Sequence, residues 1–450
     1  MSRVKRYEKK NWDTILHTTW NPDGPGVIRI HLVPPKYMRT KNADSLVIIN
    51  GQDILPINES WAILLSEYIK SVNEFGDGPM TGKELEGIIE KTIRNTKKVY
   101  PRVEDKILLE DLENMISVFE DIVQGREIQS SRKPLELGRY ARFMTAPHRM
   151  DLMVSAMKKD GQSNCCQKCI HCYAEETELP EEEELSTEDW KKIISLLREE
   201  KISQVTFSGN EPTMREDLPE ILLEARWFVT RLNTNGVRLT PEYCAALKEA
   251  DLDSMQITFY SGEKEIHDEL AGAPEFEKTV EGIRNALAAG IDLSIDTPLC
   301  KTNIDYKKTL EFLRELGIRY VTCSGLIRKE NAKEEPSLET LLSEDELYDV
   351  LKDATEYAYA NKMEIRFTSP GWLSEEKLRD LGLKAPSCGA CLSNMAITPS
   401  GNVVPCRNWL SEEPLGNILT GSWKKIWNSD RCKKIRAVSA KMEHICQLKN

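Results

Sequence analysis

The chain has 450 residues, a formal charge of −12 at pH 7 and 40% hydrophobic residues. This apolar content supports globular cores, and the acidic balance argues against a nucleic acid partner because phosphate binding needs a basic face. The opening segment "MSRVKRYEKKNWD" leads into no apolar stretch, so we expect no signal peptide. No apolar run approaches the roughly 18 residues that a membrane span needs. We therefore expect a cytoplasmic protein without a membrane partner.

Residues 1–135 predict a small α/β module. The runs "GVIRIHLVPP" and "DSLVIIN" are rich in β-branched residues and bounded by turn formers, which is typical of strands. Three helical patterns follow, the first capped by Asn58 and the second by a capping box of Thr81 and Glu84. The join "LPINESWAILL" resembles that of the winged-helix-like peptide-recognition elements fused to many peptide-modifying enzymes. A generic α/β cap is the alternative.

Strand-like and helical runs alternate regularly over residues 136–363. Six strands, from "MDLMVSAM" to "RYVTCSGL", are separated by helices such as "TEDWKKIISLLREE". This alternation predicts a parallel sheet, and six units predict an α/β fold of the partial (β/α)6 TIM-like barrel type. In such folds the chemistry lies at the carboxyl ends of the strands.

Four of the twelve cysteines fall in "CCQKCIHC", directly after the first of these strands. In a cytoplasmic chain, metal binding or catalysis is a better interpretation of such thiols than disulfides. Cys165, Cys169 and Cys172 are spaced C-x3-C-x2-C with no fourth ligand nearby. That pattern suits a 4Fe–4S cluster with one open iron better than a four-ligand zinc site. Cys166 is a rival ligand by position, but it would leave only two residues before Cys169, so we expect a bystander.

This loop, with Tyr173 after it, resembles the signature of radical S-adenosylmethionine (SAM) enzymes. The resemblance implies that the three thiolates hold the cluster and that SAM chelates its open iron. One electron then cleaves SAM to methionine and a 5′-deoxyadenosyl radical, the cofactor doing the hard chemistry. An electron donor such as flavodoxin or ferredoxin is implied as well. His171 and Tyr173 are the implied cofactor contacts within the loop.

Other turns resemble the SAM-binding motifs of this family and occur in the expected order. "SGNEP" supplies Gly209 and Glu211 where the family binds the methionine amino group, but Asn210 replaces the usual second glycine. In "HDELAG", Ala271 stands where the family often has arginine, so another group must neutralise the SAM carboxylate. The remaining implied contacts lie in "NTNG" and on the following strand: Asn233, Thr234, Asn235 and Thr258.

Residues 364–450 carry a second cysteine pattern. Cys388 and Cys391 alone have the C-x2-C spacing of a zinc knuckle. However, Cys406 follows Gly401 by the gap seen in auxiliary iron–sulfur domains of the SPASM or twitch type, which "PLGNILTGSWKKIWNSD" also resembles. The resemblance implies a second 4Fe–4S cluster. Its implied ligands are Cys388, Cys391, Cys406 and Cys446, with Cys432 the less favoured fourth ligand.

Together the three segments resemble a maturase of ribosomally synthesised peptides. The resemblance implies a first segment that binds a precursor peptide and a barrel whose radical abstracts hydrogen from it. It also implies an auxiliary cluster that assists oxidation or holds the substrate. A thioether, a carbon–carbon crosslink and an epimerisation all remain open as the modification. Two alternatives are a radical SAM enzyme acting on a small molecule or a folded protein, and a non-catalytic zinc or iron–sulfur protein.

Overall fold

The computed structural model describes residues 2–12, 16–20, 28–33, 45–49, 53–75, 81–123, 144–159, 162–172, 183–200, 202–326, 340–410, 413–441 and 444–448. The chain divides into two compact units, Met1–Phe143 and Met144–Asn450. None of the helices in the described ranges is both long and apolar enough to cross a membrane. Tyr173, one of the implied SAM contacts, lies outside the described residues.

The first unit combines an antiparallel sheet with helices. Its elements are α1 Arg3–Asn11, β1 Leu16–Trp20, β2 Ile28–Val33, β3 Ser45–Ile49, β4 Asp53–Ile57, α2 Glu59–Phe75, α3 Gly82–Val99 and α4 Asp105–Val123. The strands are ordered β1-β2-β3-β4, and their apolar side chains share one core with α2, α3 and α4.

Both predicted helix caps of this unit are present. Asn58 Oδ1 accepts a hydrogen bond from Trp61 N at 2.9 Å, and Thr81 and Glu84 form a reciprocal capping box. The sequence patterns predicted β2 and β3 but not α1 or β1, and they treated β4 only as the join before α2. In β4, "DILPI", an aspartate and a proline weaken the strand signal, because both residue types are depleted in strands.

The second unit is built on a parallel sheet with connecting helices. Its strands are β5 Arg149–Ser155, β6 Lys158–Lys159, β7 Gln162–Ser163, β8 Gln204–Gly209, β9 Val229–Thr234, β10 Ser254–Thr258, β11 Asp292–Leu299, β12 Tyr320–Gly325, β13 Glu364–Phe367, β14 Asn394–Ile397, β15 Asn402–Val404 and β16 Gly416–Asn417. Its helices are α5 Thr187–Glu199, α6 Leu218–Glu224, α7 Pro241–Glu249, α8 Lys264–Ala271, α9 Phe276–Ala288, α10 Tyr306–Glu315, α11 Glu344–Ala360, α12 Glu375–Asp380, α13 Trp423–Trp427 and α14 Asp430–Lys441.

The six predicted strands, β5 and β8 to β12, lie side by side in chain order and are all parallel. This arrangement confirms the predicted partial barrel. The sheet also continues at both sides, because β13 pairs in parallel with β12 and β14 pairs in parallel with β5. β15 and β16 then add antiparallel strands beyond β14. The cysteine-bearing tail is therefore hydrogen-bonded into the sheet through β14.

The inner face of the central strands is polar. Along β11, Leu293 and Ile295 are buried, whereas Ser294 and Asp296 on the opposite face are half-buried. Fully buried parallel strands are usually apolar on both faces. Half-buried polar side chains in the middle of the sheet therefore line an open lumen, which is where a partial barrel can hold a polar ligand.

Substitution of two glycines in helices is expected to change the stability of the protein in opposite directions. A Cβ on Gly282, in α9, would lie 2.1 Å from Gly236 O in the turn after β9, whereas a Cβ on Gly87, in α3, would have nothing within 4 Å. We expect Gly282→Ala to lower the free energy of unfolding by about 1–3 kcal/mol through overpacking. Gly87→Ala should raise it by about 1 kcal/mol through helix propensity. Denaturant unfolding measures both, and effects of the same sign would contradict this account.

Candidate functional site

The cysteine loop follows β5 and is anchored to the end of α8. Lys168 N donates to Ala271 O and Ile170 N donates to Leu270 O, each at 3.0 Å. Gly272 follows with φ 62°, and a Cβ there would lie 2.0 Å from Lys168 O, so this position requires glycine. The segment "HDELAG" therefore holds the loop through its main chain, a role that sequence reasoning missed.

Several polar groups point at the sulfur atoms of this loop. Asn235 Nδ2 lies 3.5 Å from Cys165 Sγ and 3.3 Å from Cys166 Sγ. Gln167 N donates to Cys165 Sγ at 3.4 Å. Such donors stabilise thiolates, the form of cysteine that binds metal. Cys169 contacts the core cluster around Tyr260, so the loop is partly withdrawn from solvent.

Burial disfavours ionisation of these thiols. Desolvation raises the pKa of Cys169 to about 11. Cys165 and Cys166 share a hydrogen bond, which raises the pKa of Cys165 and lowers that of Cys166 to about 7. Because metal ligands must be deprotonated, cluster binding has to displace these protons, and occupancy of the site will rise with pH.

Glu211 acts as a clamp, by which we mean that its buried carboxylate hydrogen-bonds to residues at the ends of both β8 and β9. Its carboxylate accepts hydrogen bonds from Thr213 N at 2.9 Å, Thr213 Oγ1 at 2.7 Å, Thr234 Oγ1 at 2.8 Å and Asn235 N at 2.8 Å. Desolvation raises the pKa of Glu211, although these donors act in the opposite direction. The clamp fixes the turn after β9, so that the Asn235 amide faces the sulfurs. The structure thus brings three implied SAM contacts together, with the Glu211 carboxylate already bonded within the protein.

The turn after β8 shows why an asparagine can replace the usual glycine. Gly209 has φ 132°, and a Cβ there would lie 2.4 Å from Ser155 O. The next residue, Asn210, does not have a positive φ and can therefore carry a side chain. Asn210 Nδ2 donates to Met157 O at 2.8 Å and to Ser163 Oγ at 3.0 Å. Asn210 therefore ties this turn to the β6–β7 hairpin that leads into the cysteine loop.

Two other implied SAM contacts present buried polar atoms without a protein partner. His171 Nε2 and Asn233 Oδ1 form no hydrogen bond within the described residues. Burial lowers the pKa of His171, which favours the neutral imidazole. Thr258 ends β10, level with Asp296 of β11, and is half-buried. Because buried polar atoms are normally paired, these groups fit a polar ligand such as SAM.

Charged side chains line the lumen next to this site. Arg231 Nη2 donates to Ser294 Oγ at 3.1 Å. Desolvation lowers the pKa of Arg231 to about 10 and raises the pKa of Asp296. The charge of Arg407 acts on both groups, and Arg407 directly follows Cys406. The C-terminal cysteine group and the barrel lumen are therefore electrostatic neighbours.

The cysteines of the tail converge although they are far apart in sequence. Cys388 shares a hydrogen bond with Cys446, and Cys391 shares one with Cys432. Cys406 is close enough for its charge to raise the pKa of both Cys391 and Cys446. The structure thus brings the four implied ligands together. It also places Cys432, the less favoured candidate, directly beside Cys391.

Both cysteine groups fit iron–sulfur clusters by the chemistry of their donors. All of these thiols are free of disulfides. Within the described ranges no three Cys, His, Asp or Glu side chains are arranged to hold a single metal ion. A cubane needs a different arrangement, because each thiolate binds a different iron.

Two family models match the chain in the regions that contain these groups. Residues 161–313 match the radical SAM superfamily, a range that includes the cysteine loop, the Glu211 clamp and Asn235. Residues 388–448 match the iron–sulfur cluster-binding domain called SPASM, a range that includes all five C-terminal cysteines.

Parts of the chain are similar in sequence to two characterised proteins. Fe-coproporphyrin III synthase of Methanosarcina barkeri is 34% identical over 155 residues, which cover 34% of this chain and 39% of that protein. Mycofactocin maturase MftC of Mycolicibacterium smegmatis is 28% identical over 273 residues, which cover 58% of this chain and 67% of that protein. The chain therefore spans about two fifths of the first relative and two thirds of the second.

Solved structures share its fold. SuiB of Streptococcus suis bound to precursor peptide SuiA has a TM-score of 0.59 at 15% identity and covers 90% of this chain and 92% of its own. SuiB bound to S-adenosylmethionine has a TM-score of 0.60 at 15% identity with the same coverage. The protein anSMEcpe with bound AdoMet has a TM-score of 0.55 at 16% identity and covers 65% of this chain and 81% of its own.

The Asn235 amide provides a test of the site. Asn235→Asp would replace a donor to two sulfurs with a negative charge and keep an oxygen for Val237 N. Asn235→Ala would remove both the donor and the Oδ1 that accepts from Val237 N at 3.0 Å, without adding charge. We expect Asn235→Asp to weaken iron binding by about 10- to 100-fold, in the range of other groups that support metal ligands, and Asn235→Ala to have a smaller effect. Iron retained after anaerobic reconstitution and desalting is the measurement.

Asn361→Asp is the matched control, because its amide only caps α11 by donating to Tyr357 O. Wild-type iron retention in Asn235→Asp would show that this amide does not support the cluster.

Proposed function

We propose that this protein, a radical SAM enzyme with a C-terminal SPASM domain, is a maturase that modifies a ribosomally synthesised peptide. The observation that carries the proposal is the extent of the structural match. SuiB bound to a precursor peptide covers 90% of this chain, whereas anSMEcpe covers 65%. Because Met144–Asn450 is only about two thirds of the chain, the longer match must include most of Met1–Phe143. Most of the first unit thus belongs to the fold shared with SuiB bound to precursor peptide SuiA.

A second structure with a bound peptide shares part of this fold. The structure of anSMEcpe has been solved with AdoMet and the Kp18Cys peptide, at 17% identity and a TM-score of 0.53. Its match covers 65% of this chain, about the extent of the second unit. A peptide substrate is therefore consistent with both units, and we assign the reacting segment to the barrel and the precursor's recognition segment to the first unit.

The first unit has the features of a binding module. Its described residues include no cysteine, and β1 and β4 are the outer strands of its sheet. An extended peptide can add to such an edge, gaining affinity from main-chain hydrogen bonds. The two edges differ in their main-chain hydrogen-bonding groups. Pro56 leaves β4 with one N–H donor fewer. On β1, the carbonyl oxygen of His17 already accepts a hydrogen bond from Asn73 Nδ2 at 2.8 Å.

The barrel residues position and shield the cofactors. When bound, the cluster and SAM supply a 5′-deoxyadenosyl radical that abstracts hydrogen from the peptide. Cys165, Cys169 and Cys172 are the ligands that would hold the cluster, and the Asn235 amide stabilises thiolate charge beside them. His171 and Asn233 offer unpartnered polar atoms to SAM.

An electron must enter for the reaction to begin, and we propose a flavodoxin or ferredoxin as its source. Both are cytoplasmic proteins, and we propose the same location for this enzyme. The auxiliary cluster at the C-terminal cysteines would assist oxidation of the peptide or hold it in place. The similarity to Fe-coproporphyrin III synthase would support a small-molecule substrate instead, but that match covers only 34% of the chain. A small-molecule substrate also leaves the first unit without a role.

Replacing the three loop cysteines tests the assignment of the radical site. Wild-type protein should carry about eight irons, and the variant with Cys165, Cys169 and Cys172 all changed to Ala should carry about four, because each cubane holds four. The variant should form no 5′-deoxyadenosine from SAM under reducing conditions. Stoichiometric zinc with a single cluster's iron in the wild type would contradict the second cluster, and full turnover in the variant would contradict the first.

Removing the first unit tests peptide recognition. A chain of residues 144–450 should keep its cluster content and its uncoupled SAM cleavage, because all cluster ligands lie in the second compact unit. Modification of a leader-bearing peptide at low concentration should fall by 100-fold or more, since tethering typically contributes about 10²–10⁴ in effective affinity. A leaderless peptide is the control and should react equally with both chains. Equal rates with the leader-bearing peptide would rule out leader binding by this unit.

A further inference from the structure

Helix α14 presents one polar face to the C-terminal cysteines. Cys432, Arg436 and Ser439 recur at intervals of four and three residues, so they lie on the same side of the helix. Ser439 Oγ donates to Ala390 O at 2.7 Å, which fastens the helix to the turn between Cys388 and Cys391. The helix therefore holds Cys432 in a fixed position beside the auxiliary cysteines, by which we mean Cys388, Cys391, Cys406 and Cys446.

Cys391 and Cys432 form a buried thiol pair. Their side chains share a hydrogen bond, and each residue is 0% exposed. Cys391 has φ 54°, a left-handed backbone conformation that costs a residue with a side chain about 1 kcal/mol or more. Such strain persists only where the surrounding structure imposes it, so the fold maintains this position for Cys391.

A fixed cation accompanies the pair. Arg436 Nη2 donates to Cys432 Sγ at 3.5 Å and also to Trp427 O. The guanidinium lies 3.6 Å from the centroid of the Trp427 ring, which restricts its movement. An iron-bound cysteine carries negative charge, so a cation held against its sulfur would favour Cys432 as a ligand. Cys432 thus has the surroundings of a metal ligand, whereas an inert structural cysteine sits in apolar surroundings.

We infer that Cys432 is an exchangeable ligand of the auxiliary cluster and can replace Cys391 on the same iron. Five cysteines converge in this group, whereas a 4Fe–4S cluster takes one thiolate on each of its four irons, so one thiol is surplus. In the exchange, the bond from iron to Cys391 Sγ breaks and a bond from iron to Cys432 Sγ forms. The proton passes from the Cys432 thiol to the Cys391 thiolate, and no electron is gained or lost. The inference rests on the auxiliary cluster of the proposed function and not on the identity of the substrate.

The test measures iron in a background that lacks the radical-site ligands. With Cys165, Cys169 and Cys172 changed to Ala, all remaining iron belongs to the auxiliary cluster. Cys391→Ala and Cys432→Ala should each retain about four irons and four sulfides, because the other thiol of the pair supplies the ligand. The double variant should lose at least half of this iron during desalting. The background without further changes shows whether an auxiliary cluster exists at all, which separates failure of the inference from failure of the proposed function.

Three results would overturn the inference. Iron loss in Cys391→Ala equal to that in the double variant would show that Cys432 cannot bind. Iron loss in Cys432→Ala with Cys391 intact would show that Cys432 is a permanent ligand and not an exchangeable one. Full iron in the double variant would show that neither Cys391 nor Cys432 binds the cluster. Cys244→Ala, at a buried thiol of α7, is the matched control and should retain all iron. Circular dichroism of each variant shows whether it is folded. The iron measurements are repeated with Ser in place of Ala at both positions, so that loss of a ligand can be told from misfolding.

Discussion

The arrangement of the cysteine loop and the turns around it depends on one buried carboxylate, that of Glu211. A carboxylate taken out of water is costly unless it is well hydrogen-bonded, and here donors from Thr213, Thr234 and Asn235 satisfy it. These donors come from the turn after β8 and from the end of β9, so the carboxylate joins the carboxyl ends of two neighbouring strands. Any shift of either turn would leave the carboxylate underbonded, which makes the geometry rigid.

That rigidity extends to the cysteine loop. The Asn235 amide reaches Cys165 and Cys166, Asn210 holds the hairpin before the loop, and α8 holds the middle of the loop by main-chain hydrogen bonds. The loop is therefore fixed from three sides before any cofactor binds. A preorganised metal site is held in its productive geometry by the packing and hydrogen bonds around it, so less order has to be imposed on binding.

The second cysteine group is positioned by sheet formation. β14 pairs with β5, the strand that leads into the first cysteine loop, so a single strand borders both sites. This pairing also covers the edge of β5, which would otherwise expose unpaired main-chain groups. Between the two sites the lumen carries charged groups such as Arg231 and Asp296, whose burial has to be offset by pairing. Such an interior is less stabilising than an apolar one, which is consistent with a ligand site.

The amino-acid sequence by itself determined the local features. Runs of strand-forming residues located β5 and β8 to β12, side-chain caps located α2 and α3, and cysteine spacing predicted two iron–sulfur sites, because each signal involves neighbours within a few residues. The tertiary structure decided what depends on distant residues. Only packing shows that Leu270 and Ala271 anchor the cysteine loop, that Glu211 bonds to the next strand end, and that β13 joins the barrel sheet. The contact between Cys391 and Cys432 belongs to the same class. These residues are far apart along the chain, and the fold alone brings their sulfurs together, because no local periodicity encodes which helix face meets which turn.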